Sequence, residues 1–354
     1  MKGYPILMAR AIYGISWFFL SPYIPYLLKD FSAPSYFANL IPLSFFISAA
    51  IMQIPASIIS TKLGMKNTYT LGLIIMGASD ALIGLSKNIY EVIALYGLTG
   101  FGASFFFSSA GGTLAALNEG RTLLVMGLYN AMFSLGGILG LNWGLLDEII
   151  GFRLSSILLG ILTIFAGVIN YFSNYVNLKG DFRVLKNKKV ILIASLTAGV
   201  WGSYYVVSEY FPSFAYYVFH KSSVIIGSIS SILLLSSFIG GSSSFIMNRL
   251  KERDRIVISS LLGVLPVLLL YNYFFIGLVI LGVFNEMSIS IIYAYVIKEV
   301  GSENSSLALA ETNSLQIGLG SLELLLPYVS LTNLWYLVAL ISILPLIVLF
   351  KLLD

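Results

Sequence analysis

The sequence predicts an all-α membrane protein with twelve transmembrane helices, arranged as two six-helix bundles related by pseudo-twofold symmetry. Composition is the first reason, because 58% of the 354 residues are hydrophobic and only 10% are charged, which is outside the range of soluble domains. The second reason is the spacing of the apolar runs, and the third is the distribution of the basic residues. A spanning helix needs about 20 mostly apolar residues, so twelve spans occupy most of the chain.

Apolar runs bounded by charged residues, proline, asparagine or glycine give the positions of the spans. They lie near residues 6–28, 35–59, 67–86, 89–116, 121–146, 152–176, 190–219, 222–247, 255–271, 273–297, 304–328 and 331–352. The weakest boundary separates the ninth and tenth spans, where only Tyr271, Asn272 and Tyr273 interrupt the run.

Basic residues set the predicted orientation, because cytoplasmic loops carry an excess of Lys and Arg. With both termini in the cytoplasm, sixteen of the 20 basic residues lie on the cytoplasmic side. We therefore expect an integral, polytopic protein of the cell membrane with both termini cytoplasmic. The bias also favours an even number of spans, since omission of one helix would invert every later loop.

The two halves of the chain carry a weak internal repeat. An offset of 187 residues maps Lys62 on Arg249, and an offset of 183 maps Asn130 on Asn313. Such matches, in the same order as the hydropathy, indicate two parallel six-helix repeats. The predicted parts are a bundle at 1–176, a cytoplasmic linker at 177–189 and a bundle at 190–354.

Several kinds of chemistry are missing from the sequence. There is no cysteine and only one histidine, so a thiolate or histidine metal site is not expected. The sequence contains no phosphate-binding loop and no hydrolase or zinc-protease motif. We therefore expect neither an enzyme nor a bound cofactor, and the basic residues at helix ends indicate topology, not nucleic-acid binding.

The loop between the second and third spans resembles the signature of the major facilitator superfamily. That family carries Gly, four further positions, Asp-Arg, one position and Gly-Arg-Lys in this loop. Lys62, Gly64 and Lys66 match the pattern, whereas Ser57 and Thr61 stand at the Gly and Asp positions. The resemblance extends over nearly the full length of the chain.

Further positions are similar to the family pattern. Arg249 follows the eighth span, Arg121 follows the fourth, and Gly136 and Gly140 lie four residues apart in the fifth. Small residues at this spacing let helix backbones approach closely, and the resemblance implies a sliding contact between the halves there. Tyr96 stands where many proton-coupled members carry Arg. The residues that the resemblance assigns to gating are Lys62, Gly64, Lys66, Arg121, Gly136, Gly140 and Arg249.

The resemblance implies a secondary active transporter that works by alternating access. Its expected partners are the lipid bilayer, a small-molecule substrate and protons, and the expected state is a monomer. No nucleotide site is present in the sequence, so transport would draw on a gradient.

Ionisable residues inside the hydrocarbon are costly and therefore candidates for function. Five acids within spans are candidates; of these, Asp80 and Glu323 are expected near the outer ends and Glu311 near the cytoplasmic end, where each reaches water. Glu209 and Glu286 lie on spans 7 and 10, which the resemblance places along the central cavity. A carboxyl group there can bind and release a proton, or it can stay protonated as a structural hydrogen-bonding group.

Helical spacing of three or four residues groups the other candidates into faces. Three faces are expected to enclose a mixed aromatic and acidic pocket, with Asn130 of span 5 as a secondary candidate. Their members are Arg10, Tyr13 and Trp17 of span 1, Trp201, Tyr205 and Glu209 of span 7, and Asn285, Glu286 and Tyr293 of span 10.

The leading hypothesis is a proton-coupled carrier that exports a cationic or amphipathic solute, because acids among aromatic rings attract cations. A proton-coupled importer of a sugar or an organic acid is the alternative, with Arg10 pairing an anionic group. A non-transporting membrane sensor of the same fold is a third possibility.

Overall fold

The computed structural model describes residues 2–34, 36–175, 178, 181–219, 223–330 and 332–352, and this part of the chain is helical without any strand. The helices up to the middle of the chain are α1 Tyr4–Phe18, α2 Ile24–Asp30, α3 Phe37–Leu63, α4 Met65–Ile83, α5 Ile89–Leu117, α6 Thr122–Leu141, α7 Gly144–Ile150 and α8 Phe152–Phe172. Those that follow are α9 Lys188–Leu196, α10 Ala198–Phe219, α11 Ser223–Ser243, α12 Glu252–Leu262, α13 Phe274–Val300, α14 Ser305–Gly320, α15 Leu326–Val329 and α16 Leu334–Leu352.

Within the described residues, nine helical stretches are long and apolar enough to cross a membrane. They are Leu40–Leu63, Ile89–Leu117, Thr122–Leu141, Phe152–Phe172, Lys188–Phe211, Ser230–Arg249, Glu252–Tyr271, Phe274–Val300 and Leu334–Lys351. The all-helical fold is confirmed, and so is the break between the ninth and tenth predicted spans. The count of twelve is not confirmed.

The other three predicted spans are helical but shorter or less apolar. The first is divided into α1, a 3₁₀ segment at Ser21–Tyr23 and α2, with a proline in the first turn of each short segment. The third corresponds to α4, which has 19 residues, and the eleventh to α14, which has 16. Proline lacks a backbone N–H and fixes φ, so it is favoured in the first turn of a helix and disfavoured in the interior of one.

The chain divides into two compact units, and the first consists of Met1–Glu119, Leu135–Leu185 and Val300–Ala310. Its interior is formed by α4 packed between α5 and α8. Gly72 lies against the Gly102 carbonyl of α5, and Gly77 lies against the Gly160 carbonyl of α8. Glycine permits this backbone contact because it has no Cβ.

The second unit consists of Gly120–Ser134, Lys186–Glu299 and Glu311–Asp354. Helix α10 contacts α11, α16 and the 3₁₀ segment Ser321–Leu325. Because α6 and α14 are each divided between the units, the two predicted six-helix bundles and the linker between them stay a prediction.

Candidate functional site

The α1 group, Arg10, Tyr13 and Trp17, lies on one buried face of α1. The side chain of Arg10 is only 4% exposed, and its guanidinium carbon lies 4.4 Å from the centre of the Tyr13 ring and 4.8 Å from that of Phe107. Trp17 meets the ring of Phe45 edge to face at 4.6 Å. Aromatic faces attract a cation, so the predicted residues form a cationic and aromatic cluster inside the first unit.

The α10 group, Trp201, Tyr205 and Glu209, also follows the predicted spacing. The rings of Trp201 and Tyr205 are stacked with their centres 3.8 Å apart, and both side chains are buried. Glu209, one turn further along, is half-buried. The predicted stripe is therefore a stacked aromatic pair followed, one turn later, by an acidic residue that is less buried than the pair.

The α13 group, Asn285, Glu286 and Tyr293, is buried in the second unit. Glu286 is 2% exposed, and its carboxylate interacts electrostatically with Tyr204 of α10. Asn285 donates through Nδ2 to the backbone oxygen of Val200 at 2.5 Å and to that of Gly263 at 2.9 Å. Asn285 thus connects α13 to α10, the helix that carries Tyr204.

Two further polar contacts join helices of the second unit. The Asn130 amide of α6 donates to the Ser290 hydroxyl of α13 at 3.1 Å, and the Tyr293 hydroxyl donates to Asn313 Oδ1 of α14 at 3.2 Å. Uncharged polar side chains commonly connect membrane helices in this way. The expectation that all three faces share one pocket includes residues of both units and stays a prediction.

The structure corrects the predicted position of Asp80. The side chain is fully buried, at 0% exposed, and does not reach water. Its carboxylate accepts hydrogen bonds from Ser16 of α1 at 2.6 Å and from Thr99 of α5 at 3.0 Å. Hydroxyl groups on two neighbouring helices replace the water that the sequence led us to expect.

Glu323 and Glu311 need the same correction. Glu323 is 4% exposed and Glu311 is 5% exposed, so neither carboxylate extends into water. Ser342 of α16 donates to both oxygens of Glu323, at 3.1 and 3.2 Å, and the carboxylate lies against Gly202 of α10. Gly202 therefore leaves room for the Glu323 carboxylate, and Ser342, 19 residues further along the chain, donates hydrogen bonds to it.

The residues assigned to the loop signature lie at the end of α3 and the start of α4. Gly64 adopts φ 84° between these helices, a value that favours glycine. The Lys66 ammonium group donates to the backbone oxygen of Ser173 at 2.7 Å, and the Met65 amide donates to that of Leu178 at 2.9 Å. Lys62 is exposed.

The remaining gating candidates fall into two kinds. Arg121 and Arg249 are exposed at helix ends. Gly136 lies against the Ala11 carbonyl of α1, and a Cβ at Gly140 would lie 2.8 Å from the backbone oxygen of Ile15. Both glycines therefore allow close packing of α6 on α1, a helix of the same predicted half.

A cavity of about 320 Å³ lies elsewhere in the first unit, at the end of α5, and no predicted site residue lines it. Its lining residues are Thr113, Ala116, Leu117, Glu119, Leu178, Ser302 and Glu303.

Comparison with known families decides the class of protein. A sequence model of the Major Facilitator Superfamily matches residues 6–322. The chain belongs to this superfamily. The uncharacterized MFS-type transporter MJ1560 of Methanocaldococcus jannaschii is 26% identical over 156 residues, which are 43% of this chain and 40% of that relative. The chain thus aligns with less than half of the length of this curated relative.

Solved structures of superfamily transporters share the fold at low sequence identity. The human organic anion transporter MFSD10 (TETRAN) gives a TM-score of 0.80 at 14% identity, with 99% of this chain and 98% of MFSD10 covered. FucP in its outward conformation gives 0.74 at 13% identity, with 100% of each chain covered. The E. coli fucose:proton symporter FucP gives 0.74 at 14% identity, again with 100% of each chain covered.

Membership of the Major Facilitator Superfamily confirms the resemblance carried by the loop signature. The chain is therefore a member of a superfamily of membrane transporters.

Proposed function

We propose that the protein is a secondary active transporter that moves a small organic solute by alternating access and couples this movement to protons. The observation that carries the proposal is the burial of Glu286 on α13 beside Tyr204 of α10. An ionisable side chain within a membrane span is costly and is retained where it serves a function. FucP, a neighbour in fold, is described as a fucose:proton symporter.

We further propose that the α10 and α13 groups bind a cationic or amphipathic solute, and that its physiological movement is export. The stacked pair Trp201 and Tyr205 offers aromatic surface, and Glu286 and Glu209 offer negative charge in the same unit. Cations bind aromatic faces more strongly when water is excluded.

Repeated glycine contacts support the proposed twelve-helix, two-repeat architecture. In the first unit, Gly136 lies against the Ala11 carbonyl. In the second unit, a Cβ placed on Gly320 would lie 2.7 Å from the Ala198 backbone oxygen. The two glycines are 184 residues apart and the two alanines 187, close to the offsets of the sequence repeat. The repeat pairs α1 with α10 and α6 with α14. Both termini cytoplasmic and a monomeric state complete the proposal.

Uptake into proteoliposomes tests the transport function itself. The purified protein is offered a panel of cationic, neutral and anionic organic solutes, with and without an imposed pH gradient. We expect a cationic member of the panel to accumulate when the gradient is present, and protein-free liposomes to show no accumulation. Absence of flux for every solute would favour a sensor of the same fold.

A second candidate is transport of an organic anion, which the buried Arg10 favours. Its guanidinium lies over the rings of Tyr13 and Phe107, where it can pair with a carboxylate. MFSD10, a neighbour in fold, is described as an organic anion transporter.

Substitution of Arg10 distinguishes this candidate from the first. If the solute is an anion, we expect Arg10→Gln to reduce the apparent affinity about tenfold or more, because a hydrogen bond between charged partners is lost. Arg10→Lys retains the charge and is expected to keep part of the affinity. Anion flux with unchanged affinity in Arg10→Gln would exclude this role, and flux restricted to cations would exclude the candidate.

A further inference from the structure

We propose that Asp80 is a proton-binding site of this chain, located between α1, α4 and α5 and separate from Glu286. The carboxylate is completely buried and accepts hydrogen bonds from Ser16 and Thr99. These two hydroxyl groups belong to two helices that pack on α4. The site is therefore built from three helices of the first unit.

No basic group among the described residues forms an ion pair with Asp80. Among the described residues, its hydrogen-bonding partners are the two hydroxyl groups, and the ion pairs of that part of the chain involve other acids. A carboxylate that is removed from water and not paired with a cation is costly. Proton uptake removes this cost.

The helices packed on α4 carry other titratable and charged groups. These are Tyr4, Arg10 and Tyr13 of α1, Lys62 of α3, Tyr90, Glu91 and Tyr96 of α5, and Arg153 and Tyr171 of α8, with Lys66 and Tyr69 on α4 itself. Tyr96 donates to the Trp17 backbone oxygen at 2.6 Å, Glu91 accepts from Lys87 and Asn88, and Arg153 is exposed. None of these contacts involves the Asp80 carboxylate.

The hydrogen bonds around Asp80 can be completed in both of its protonation states. The single Thr99 hydroxyl proton has two acceptors within reach, Asp80 Oδ1 at 3.0 Å and the Leu95 backbone oxygen at 3.3 Å. When Asp80 is ionised, Ser16 and Thr99 both donate to it. When Oδ1 carries a proton, Asp80 donates to Thr99, Thr99 turns to Leu95, and Ser16 still donates to Oδ2.

Glu323 is a second buried acid whose hydrogen bonds are arranged differently. Ser342 of α16 lies within reach of both Glu323 oxygens, whereas the hydroxyl partners of Asp80 come from two different helices. Glu323 serves as a matched buried acid for comparison.

Helix α1 connects the Asp80 site to the α1 group. Ser16, which donates to Asp80, is followed directly by Trp17. The Trp17 backbone oxygen accepts from Tyr96 of α5, so two adjacent residues of α1 are held by α4 and α5. Protonation of Asp80 weakens the Ser16 hydrogen bond, because its acceptor is then neutral, and this acts on the part of α1 that carries Trp17. This coupling role rests on the proposed proton-coupled transport, whereas proton binding does not.

Infrared difference spectroscopy tests the proton site without any solute. The full-length protein in liposomes is compared between acidic and alkaline buffer, and the carbonyl stretch of a protonated carboxyl group is followed. We expect this band in the wild type, and we expect one component of it to be missing in Asp80→Asn but present in Glu286→Gln and in Glu323→Gln. A band of full amplitude in Asp80→Asn, or no such band in the wild type, would overturn the proposal.

A pair of variants at Thr99 keeps the test valid if Asp80→Asn does not fold. Thr99→Val removes the hydroxyl and is expected to shift the titration midpoint of the band about tenfold in proton concentration, the size of one hydrogen bond to a charged group. Thr99→Ser retains the hydroxyl and is expected to titrate like the wild type. Equal midpoints for Thr99→Val and the wild type would overturn the role given to Thr99.

Discussion

Replacement of Gly136 by alanine is expected to lower the free energy of unfolding by about 3 kcal/mol. A Cβ at this position would overlap the Ala11 carbonyl oxygen and lie 3.0 Å from the Gly14 Cα. Both neighbours are backbone atoms, so they cannot rotate aside as a flexible side chain can. The added methyl group therefore separates α6 from α1, where lipid provides no hydrophobic force to restore the contact.

Unfolding in mixed detergent micelles measures this loss, and Gly318→Ala is the matched control. Gly318 lies in helix α14, and a Cβ there would meet nothing within 4 Å. We expect Gly318→Ala to leave the stability unchanged or to raise it by up to about 1 kcal/mol, as helix propensity favours alanine. Similar losses at the two positions would show that the α1 contact is not the cause.

Replacement of Glu286 by glutamine is expected to abolish accumulation driven by a pH gradient while exchange of solute continues. Glutamine preserves the size of the side chain but cannot take up and release a proton. We expect gradient-driven accumulation to fall by about tenfold or more, the signature of a lost coupling step, and counterflow exchange to stay within about twofold.

Glu148→Gln is the control for this experiment, because Glu148 is an exposed acid of α7 and the substitution removes the same charge. It is expected to accumulate solute like the wild type. If Glu286→Gln accumulates solute as well as the control does, Glu286 has no part in coupling.

The residues that share one face of a helix could be predicted from the sequence. Arg10 and Tyr13, and likewise Trp201 and Tyr205, are three or four positions apart, and in the structure each pair is in contact. Periodicity suffices here because the α-helix itself fixes which side chains are neighbours.

The environment of the buried acids could not be predicted in this way. The position of Asp80 near the end of its span predicts that its side chain reaches water. Nothing in the sequence around Asp80 indicates that Ser16 and Thr99 are its hydrogen-bonding partners. Those partners are 64 and 19 residues away along the chain. Only the packing of α1 and α5 on α4 brings them together.

Hydropathy also gives no account of interruptions within a span. The ninth predicted span consists of α12 and a 3₁₀ segment at Leu265–Tyr271, with Pro266 in the first turn of that segment. The Gly263 backbone oxygen at the interruption accepts from Asn285. A free backbone oxygen inside a membrane protein needs such a partner, and the sequence does not show which residue provides it.

Proton movement that accompanies solute entry tests the proposed coupling most directly. Proteoliposomes that contain a pH-sensitive dye receive a transported solute in the absence of any imposed gradient. We expect the internal pH to change in proportion to the solute flux, and to stay constant in protein-free liposomes. Solute flux without any change of internal pH would contradict proton-coupled transport.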